Sequence, residues 1–95
     1  MKGKVITPND KLMGGPETAA LQHALCGLIK QGVKPIVLDL SRVRWINSAG
    51  LGLLISTHMQ CRRSRNRLIL LNPSPKVQSM MHITKLASVF HVRFR

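Results

Sequence analysis

The sequence predicts one α/β domain in which short strands alternate with amphipathic helices. Its 95 residues suffice for a single hydrophobic core but not for two. Apolar runs of strand length alternate with stretches of helical periodicity, and the connections between them are short. Alternation of this kind is typical of strands joined by right-handed helical crossovers. We therefore expect residues 1–95 to form a mixed sheet of about four strands, covered mainly on one face by three to four helices.

The first half of the chain predicts two strands and one helix. Residues 4–7 are a short strand candidate, which the turn residues 8–10 bring to an end. A helix begins near residues 14–17, where a proline and an acid suit the first turn, and ends at Gly32. Its apolar face consists of Leu21, Leu25, Leu28 and Ile29. Residues 35–40 form a nearly continuous apolar run, which is typical of a strand covered on both faces.

The second half predicts two more helices and two more strands. Asn47 and Ser48 are good N-cap residues, so the second helix begins at residues 47–50. Its apolar face consists of Leu51, Leu54, Ile55, His58 and Met59. The remaining predicted elements are a buried strand at 67–71, a short third helix at 77–81 and a last strand at 89–94.

The charge of the chain is strongly one-sided. Fifteen Lys and Arg residues stand against only three acids, which gives a formal net charge of +12. The acids are Asp10, Glu17 and Asp39. Catalysis by paired carboxylates requires two acids at a controlled separation, and this composition speaks against it. The net charge favours an anionic partner and predicts salt-sensitive, nonspecific binding to polyanions.

No pattern in the sequence is typical of an enzyme, a metal site or a cofactor site. Ser48 lacks the Gly-x-Ser-x-Gly elbow of a catalytic nucleophile, because Ile46 occupies the position of the first glycine. His-x-x-Cys occurs at 23–26 and at 58–61, but the second pair lies on an apolar helix face, where a buried thiol is the ordinary interpretation. We expect a non-enzymatic protein, in which Asp39 has the structural role of fixing the turn at 47–50.

Cysteine content and hydropathy indicate a cytoplasmic protein. Cys26 and Cys61 are too few and too widely spaced for a disulfide-stapled secreted domain, so free thiols are expected. No signal peptide is visible, because residues 7–10 interrupt the apolar start of the chain. The longest apolar runs have the length of a strand, so no membrane span is expected.

A family resemblance lies in residues 37–52, which read Val-Leu-Asp-Leu-Ser-Arg-Val-Arg-Trp-Ile-Asn-Ser-Ala-Gly-Leu-Gly. This stretch closely resembles the signature of STAS domains of the bacterial anti-sigma factor antagonist type. The likeness continues in Asn-Pro-Ser-Pro at 72–75 and in Ile-Thr-Lys-Leu-Ala-Ser-Val-Phe at 83–90. It covers nearly the whole chain and implies a STAS-type fold for residues 1–95. The family often has one more strand before residues 4–7, and we expect that N-terminal strand to be missing here.

The resemblance implies a regulatory protein that binds an anti-sigma factor, itself a serine kinase, and so frees the sigma factor. The implied binding surface centres on the start of the second helix. Its residues are Asn47, Ser48, Ala49 and Gly50, extended by Leu51 and Gly52. In the family, phosphorylation of the hydroxyl residue directly before the glycine breaks the complex. Repulsion and desolvation of the added phosphate give a physical reason for this effect.

Two positions depart from the family pattern. Ala49, directly before Gly50, has no hydroxyl, and Asn47 replaces the usual aspartate. Ser48 remains as the candidate phosphoacceptor, one position earlier. Two outcomes stay open: a constitutive binder without the off-switch, or phosphorylation of Ser48 in a shifted geometry. Helix capping alone also accounts for Asn47 and Ser48.

Two alternative functions and one question of assembly stay open. One alternative is a STAS subunit of a membrane transport system of the ABC type. The other is a basic nucleic-acid-binding protein, suggested by the run Arg-Arg-Ser-Arg-Asn-Arg at 62–67. A solvated helix end with Asn66 as its left-handed cap explains the same run, and the aromatic residues expected in or near the core, Trp45, Phe90 and Phe94, offer no stacking platform. A homodimer is compatible with the sequence.

Overall fold

The computed structural model describes residues 3–95 and contains three helices and six strands in that range. In chain order they are β1 (Lys4–Ile6), β2 (Asp10–Leu12), α1 (Pro16–Lys30), β3 (Ile36–Asp39), β4 (Val43–Ile46), α2 (Ser48–Arg63), β5 (Leu68–Leu71), α3 (Pro75–Ile83) and β6 (His91–Arg93). Pro16 and Pro75 each occupy the first turn of a helix, where a missing N–H costs nothing. Gly32 follows α1 with a φ of 78°, the left-handed conformation that glycine adopts readily.

The main sheet has four strands in the order β1-β3-β5-β6, and all of its pairings are parallel. The α/β fold with about four strands is confirmed. The expected sheet of mixed strands is parallel throughout in the structure, because each pair of neighbouring strands is joined by a helical crossover. Since such crossovers are right-handed and the strand order runs in one direction, the three helices lie on the same face of the sheet.

Burial along the two central strands separates the covered face of the sheet from the open one. Ile36, Leu38, Leu68 and Leu70 have no exposed surface and point toward the helices, where they form the core with apolar residues of α1 and α2. Val37 and Ile69 alternate with them and are only half-buried. Helices therefore cover mainly one face, as the amphipathic patterns predict.

A second sheet was not predicted from the sequence. The strands β2 and β4 pair in parallel, with an irregular register between Asp10 and Lys11. Asp10, which the turn at 8–10 was expected to include, instead begins β2 with a φ of 67°. Strands of three or four residues carry too little periodicity to be recognised locally, and only their long-range pairing defines them.

Several side chains lie elsewhere than the patterns predict. Trp45 and Phe94 are exposed by 53% and 65%, so the expectation of a core position was wrong for both and right only for Phe90. Met59, expected on the apolar face of α2, is also exposed. The left-handed residue after α2 is Arg65, with a φ of 53°, and Asn66 beside it uses its side-chain amide to bind the carbonyl of Val33.

Candidate functional site

The start of α2 is held in place by Asn47. Its side-chain oxygen accepts a hydrogen bond from the backbone N–H of Gly50 at 3.1 Å, which is the N-cap contact that its residue type predicts. Its amide nitrogen donates to the carbonyl oxygen of Met13 at 3.0 Å, and its backbone N–H donates to that of Leu12 at 3.3 Å. One residue therefore caps the helix and ties it to the end of β2.

Gly50 is buried because the backbone of β2 crosses directly over it. A β-carbon at this position would overlap the carbonyl oxygen of Leu12 and lie 2.9 Å from the carbonyl carbon of the same residue. Leu51 is also buried, as part of the hydrophobic core. These two predicted site residues therefore lie beneath the surface: Gly50 allows β2 and α2 to come into close contact, and Leu51 belongs to the core.

Ser48, Ala49 and Gly52 form the outer surface of the same turn, and all three are exposed. Gly52 follows Ser48 by four residues and Ala49 by three, so the three lie on one face of the helix. A β-carbon on Gly52 would meet no atom within 4 Å. Ala49 borders the loop before α1, because a β-carbon added to Gly14 in that loop would lie 2.9 Å from the β-carbon of Ala49.

Trp45, which sequence reasoning assigned to the core, is exposed beside this turn. It lies two residues before Asn47 and pairs with Lys11 across the small sheet. The ammonium nitrogen of Lys76 lies 5.6 Å from the centroid of its ring, within the range of a cation–π interaction. Met13, whose carbonyl binds Asn47, is exposed as well. In the sequence, the position of Trp45 two residues before the cap residue Asn47 was the signal that placed it near the site.

We call this surface the docking tip, after the prediction that this turn binds a partner, and define it by six residues: Asn47 and the exposed residues around it. They are Met13, Trp45, Asn47, Ser48, Ala49 and Gly52.

The electrostatic character of the docking tip is positive. The first turn of α2 has no acidic residue, so the positive end of the helix dipole is not neutralised from within the helix. Lys76 adds a full charge beside Trp45. Arg44 is paired with Asp10 at 3.0 Å; the arginine side chain is largely exposed to water and Asp10 is half-buried. Acidic groups would find complementary charge at this surface.

Asp39 does not fix the turn at 47–50, contrary to the sequence-based expectation. Its side-chain oxygen accepts a hydrogen bond from the backbone N–H of Ser41 at 3.0 Å. Hydrogen bonds from Ser41, followed by the charges of Arg42 and Arg95, lower the pKa of the Asp39 carboxyl. The carboxylate therefore closes the turn after β3.

The two His-x-x-Cys pairs differ in environment. His58 and Cys61 are buried, and the ring of His58 packs edge-on against Phe90 at 5.5 Å between centroids. His23 is exposed, and Cys26 accepts a hydrogen bond from the side-chain amide of Gln60 at 3.3 Å. Among residues 3–95, no three His, Cys, Asp or Glu side chains lie close enough together to hold a metal ion.

Known proteins resemble this chain both in sequence and in structure. The profile of the STAS domain family matches residues 14–94. A protein of Bordetella bronchiseptica named as an anti-sigma factor antagonist, BtrV, is 28% identical over 90 residues, which cover 95% of this chain and 78% of BtrV.

None of the helices within residues 3–95 has the length and apolar character needed to cross a membrane.

Two solved structures share the fold. A Thermotoga maritima protein described as an anti-sigma factor antagonist superimposes with a TM-score of 0.81 at 25% identity, covering 96% of this chain and 77% of that one. The Bacillus cell fate determinant SpoIIAA in its phosphorylated form gives a TM-score of 0.77 at 24% identity, covering 96% and 80%.

Proposed function

The chain belongs to the STAS domain family, and on that premise we propose that it is an anti-sigma factor antagonist that binds a serine-kinase anti-sigma factor through the docking tip. The sequence relative BtrV, which is named as an antagonist, supports this choice over a transport subunit. The observation that carries it is the exposed face of Ser48, Ala49 and Gly52 on a helix start that Asn47 holds rigid. Such a preorganised turn loses little conformational entropy when a partner binds.

The exposed Trp45 extends this surface in a way that suits a protein partner. Tryptophan is among the residues that contribute most to binding energy at protein interfaces. The ammonium group of Lys76 lies over the Trp45 ring, and its backbone is held in the small sheet by pairing with Lys11. The open space beside Gly52 leaves room for a partner's backbone to approach closely.

Ser48 is the candidate phosphoacceptor of the docking tip. It is exposed and is the first residue of α2, where the helix dipole and the backbone N–H groups stabilise an anion. A phosphate of about −1.5 to −2 charges is therefore compatible with the folded domain. The phosphate would weaken binding of the partner, because it repels acidic groups and adds bulk to the interface.

Binding is tested by calorimetry with the serine-kinase anti-sigma factor encoded in the same genome. Gly52→Gln places a side chain on the docking tip, and Gly27→Gln is the matched control, because a β-carbon on either glycine meets no atom within 4 Å. Both glycines lie inside helices, Gly52 in α2 and Gly27 in α1. We expect Gly52→Gln to abolish binding and Gly27→Gln to preserve it. Absence of binding by the unaltered protein, or equal binding by both variants, would contradict the proposal.

Phosphorylation is tested separately, by incubating the protein with that kinase and ATP and measuring its mass. We expect one added phosphoryl group, which disappears in Ser48→Ala. Ala49→Ser provides a second variant, because it restores a hydroxyl at the position where the family has its acceptor. Labelling of Ala49→Ser without labelling of the unaltered protein would show that the off-switch has been lost while the docking tip still reaches the kinase.

A further inference from the structure

The end of the domain opposite the docking tip carries a concentration of positive charge. In a parallel sheet all strands begin at one edge, and the helices that connect them end there. The cations at the ends of α1 and α2 and in the two loops that follow are Lys30, Lys34, Arg62, Arg63, Arg65 and Arg67. We call these six residues the basic rim. The three acids of the chain lie elsewhere: Asp39 ends β3, Asp10 begins β2 and Glu17 is in the first turn of α1.

Specific contacts hold the two loops of the basic rim side by side. The side-chain amide of Asn66 donates to the carbonyl of Val33 at 2.8 Å, and the backbone N–H of Ile36 donates to that of Arg67 at 2.9 Å. A shallow pocket of about 310 Å³ lies between the loops. Its lining consists of Lys34, Pro35, Arg65, Asn66 and Arg67. Three cations thus converge on one concave surface.

Helix capping does not account for this arrangement. Arg62 and Arg63 lie in the last turn of α2, where they complement the negative end of the helix dipole. Lys34, Arg65 and Arg67 lie outside the helices. Within residues 3–95, the one ion pair that the structure contains joins Arg44 to Asp10, away from the rim. The rim cations therefore have no carboxylate partner in the described part of the chain.

We propose that the basic rim binds the phosphate backbone of duplex nucleic acid. Phosphate contacts require cations and little else, and the arginine guanidinium groups suit phosphate oxygens because they donate two parallel hydrogen bonds. The pocket has proline as its single apolar lining residue, whereas a protein interface or a membrane surface needs an aromatic or aliphatic anchor. The exposed aromatic residues Trp45 and Phe94 lie outside the rim, so no stacking platform for single strands is present there.

Fluorescence anisotropy with a labelled duplex of arbitrary sequence tests the proposal, using duplex DNA and duplex RNA as separate probes over a range of salt concentrations. The rim variant is Lys34→Gln, Arg65→Asn and Arg67→Gln together; asparagine tolerates the left-handed conformation of position 65. The matched control is Lys11→Gln, Arg42→Gln and Arg93→Gln together, which removes equal charge away from the rim. None of the six substituted residues belongs to the docking tip.

We expect the rim variant to bind the duplex at least about tenfold more weakly than the unaltered protein near 100 mM salt, with the slope of log K against log salt smaller by about two to three. The control should lose much less. Equal losses in both variants would mean that net charge alone attracts the duplex, and the proposed site would be wrong. Tighter binding to anionic lipid vesicles, to a single strand or to a polyglutamate peptide than to the duplex would likewise overturn it. Thermal unfolding of each variant checks that its fold is intact.

Discussion

Gly50 lies directly under the carbonyl group of Leu12, so that the first turn of α2 and the end of β2 share one close contact. A β-carbon at position 50 would overlap that oxygen and would lie 2.8 Å from the β-carbon of Leu12. Leu12 itself is almost completely buried in the core. The glycine of the family signature is thus required in this chain by internal packing, whereas Ser48, Ala49 and Gly52 around it are exposed.

Substitution of Gly50 by alanine is expected to destabilise the domain by about 3 kcal/mol or more, because either the helix or β2 must move to admit one methyl group. Gly52→Ala is the control. Its β-carbon meets open space, and the better helix propensity of alanine should raise the free energy of unfolding by up to about 1 kcal/mol. Urea denaturation of the two variants measures both effects. Similar stabilities of the two variants would contradict the contact between Gly50 and Leu12.

Asn47→Ala should lower the free energy of unfolding by about 1 to 2 kcal/mol, because it removes the helix cap and the bond to the Met13 carbonyl. Asn47→Asp keeps the capping oxygen and adds a charge that the helix dipole favours, but it cannot donate to Met13. We therefore expect aspartate, the residue usual in the family, to fall between alanine and asparagine in urea denaturation at neutral pH. An aspartate variant no more stable than the alanine variant would show that the bond to Met13 is the dominant contribution.

The stability of the domain is expected to fall as the pH is lowered through about 6.5, the ordinary pKa of histidine. Burial, together with the charges of Arg62 and His91, lowers the pKa of His58 in the folded protein. The unfolded chain therefore binds a proton at a pH where the folded protein does not, and each proton taken up by the unfolded chain favours unfolding. Below this window, a further loss should begin near pH 3.8, as the lowered pKa of Asp39 is approached.

Urea denaturation at a series of pH values checks this dependence. His58→Gln should flatten the slope between roughly pH 7 and 5, where it can reach about 1.4 kcal/mol per pH unit for one group. His23→Gln, at an exposed position of α1, is the control and should leave the slope unchanged. An unaltered slope in His58→Gln would assign the dependence to another group.

Binding of the anti-sigma factor is expected to shift the fluorescence of Trp45 to shorter wavelength. Trp45 is the one tryptophan of the chain, and 53% of its surface is exposed. A partner that covers the docking tip must therefore exclude water from the indole ring. Trp45→Ala should weaken binding by about 2 kcal/mol while changing the stability little. Phe94→Ala, at another exposed aromatic position, is the control for calorimetry. Unchanged emission at saturating partner would exclude Trp45 from the interface.

Local patterns predicted the helices and their ends well. The boundary at Asn47, the proline at the start of α1 and the left-handed Gly32 after it follow from interactions within a few residues. The capping of α2 by Asn47 is confirmed: its side-chain oxygen accepts the hydrogen bond from the backbone N–H of Gly50. The pairing of β2 with β4 was missed because it joins segments about thirty residues apart, through strands too short to show a period.

Composition, periodicity and capping are local properties, and they are enough to predict an α/β domain, a helix that begins after Asn47 and an excess of positive charge. Long-range packing was needed to show which of the residues around Gly50 face outward, that Trp45 lies on the surface beside them, and that Lys34, Arg65 and Arg67 converge at the opposite end. Those facts depend on which strands pair and in what register, and register is fixed by contacts between residues far apart in the chain.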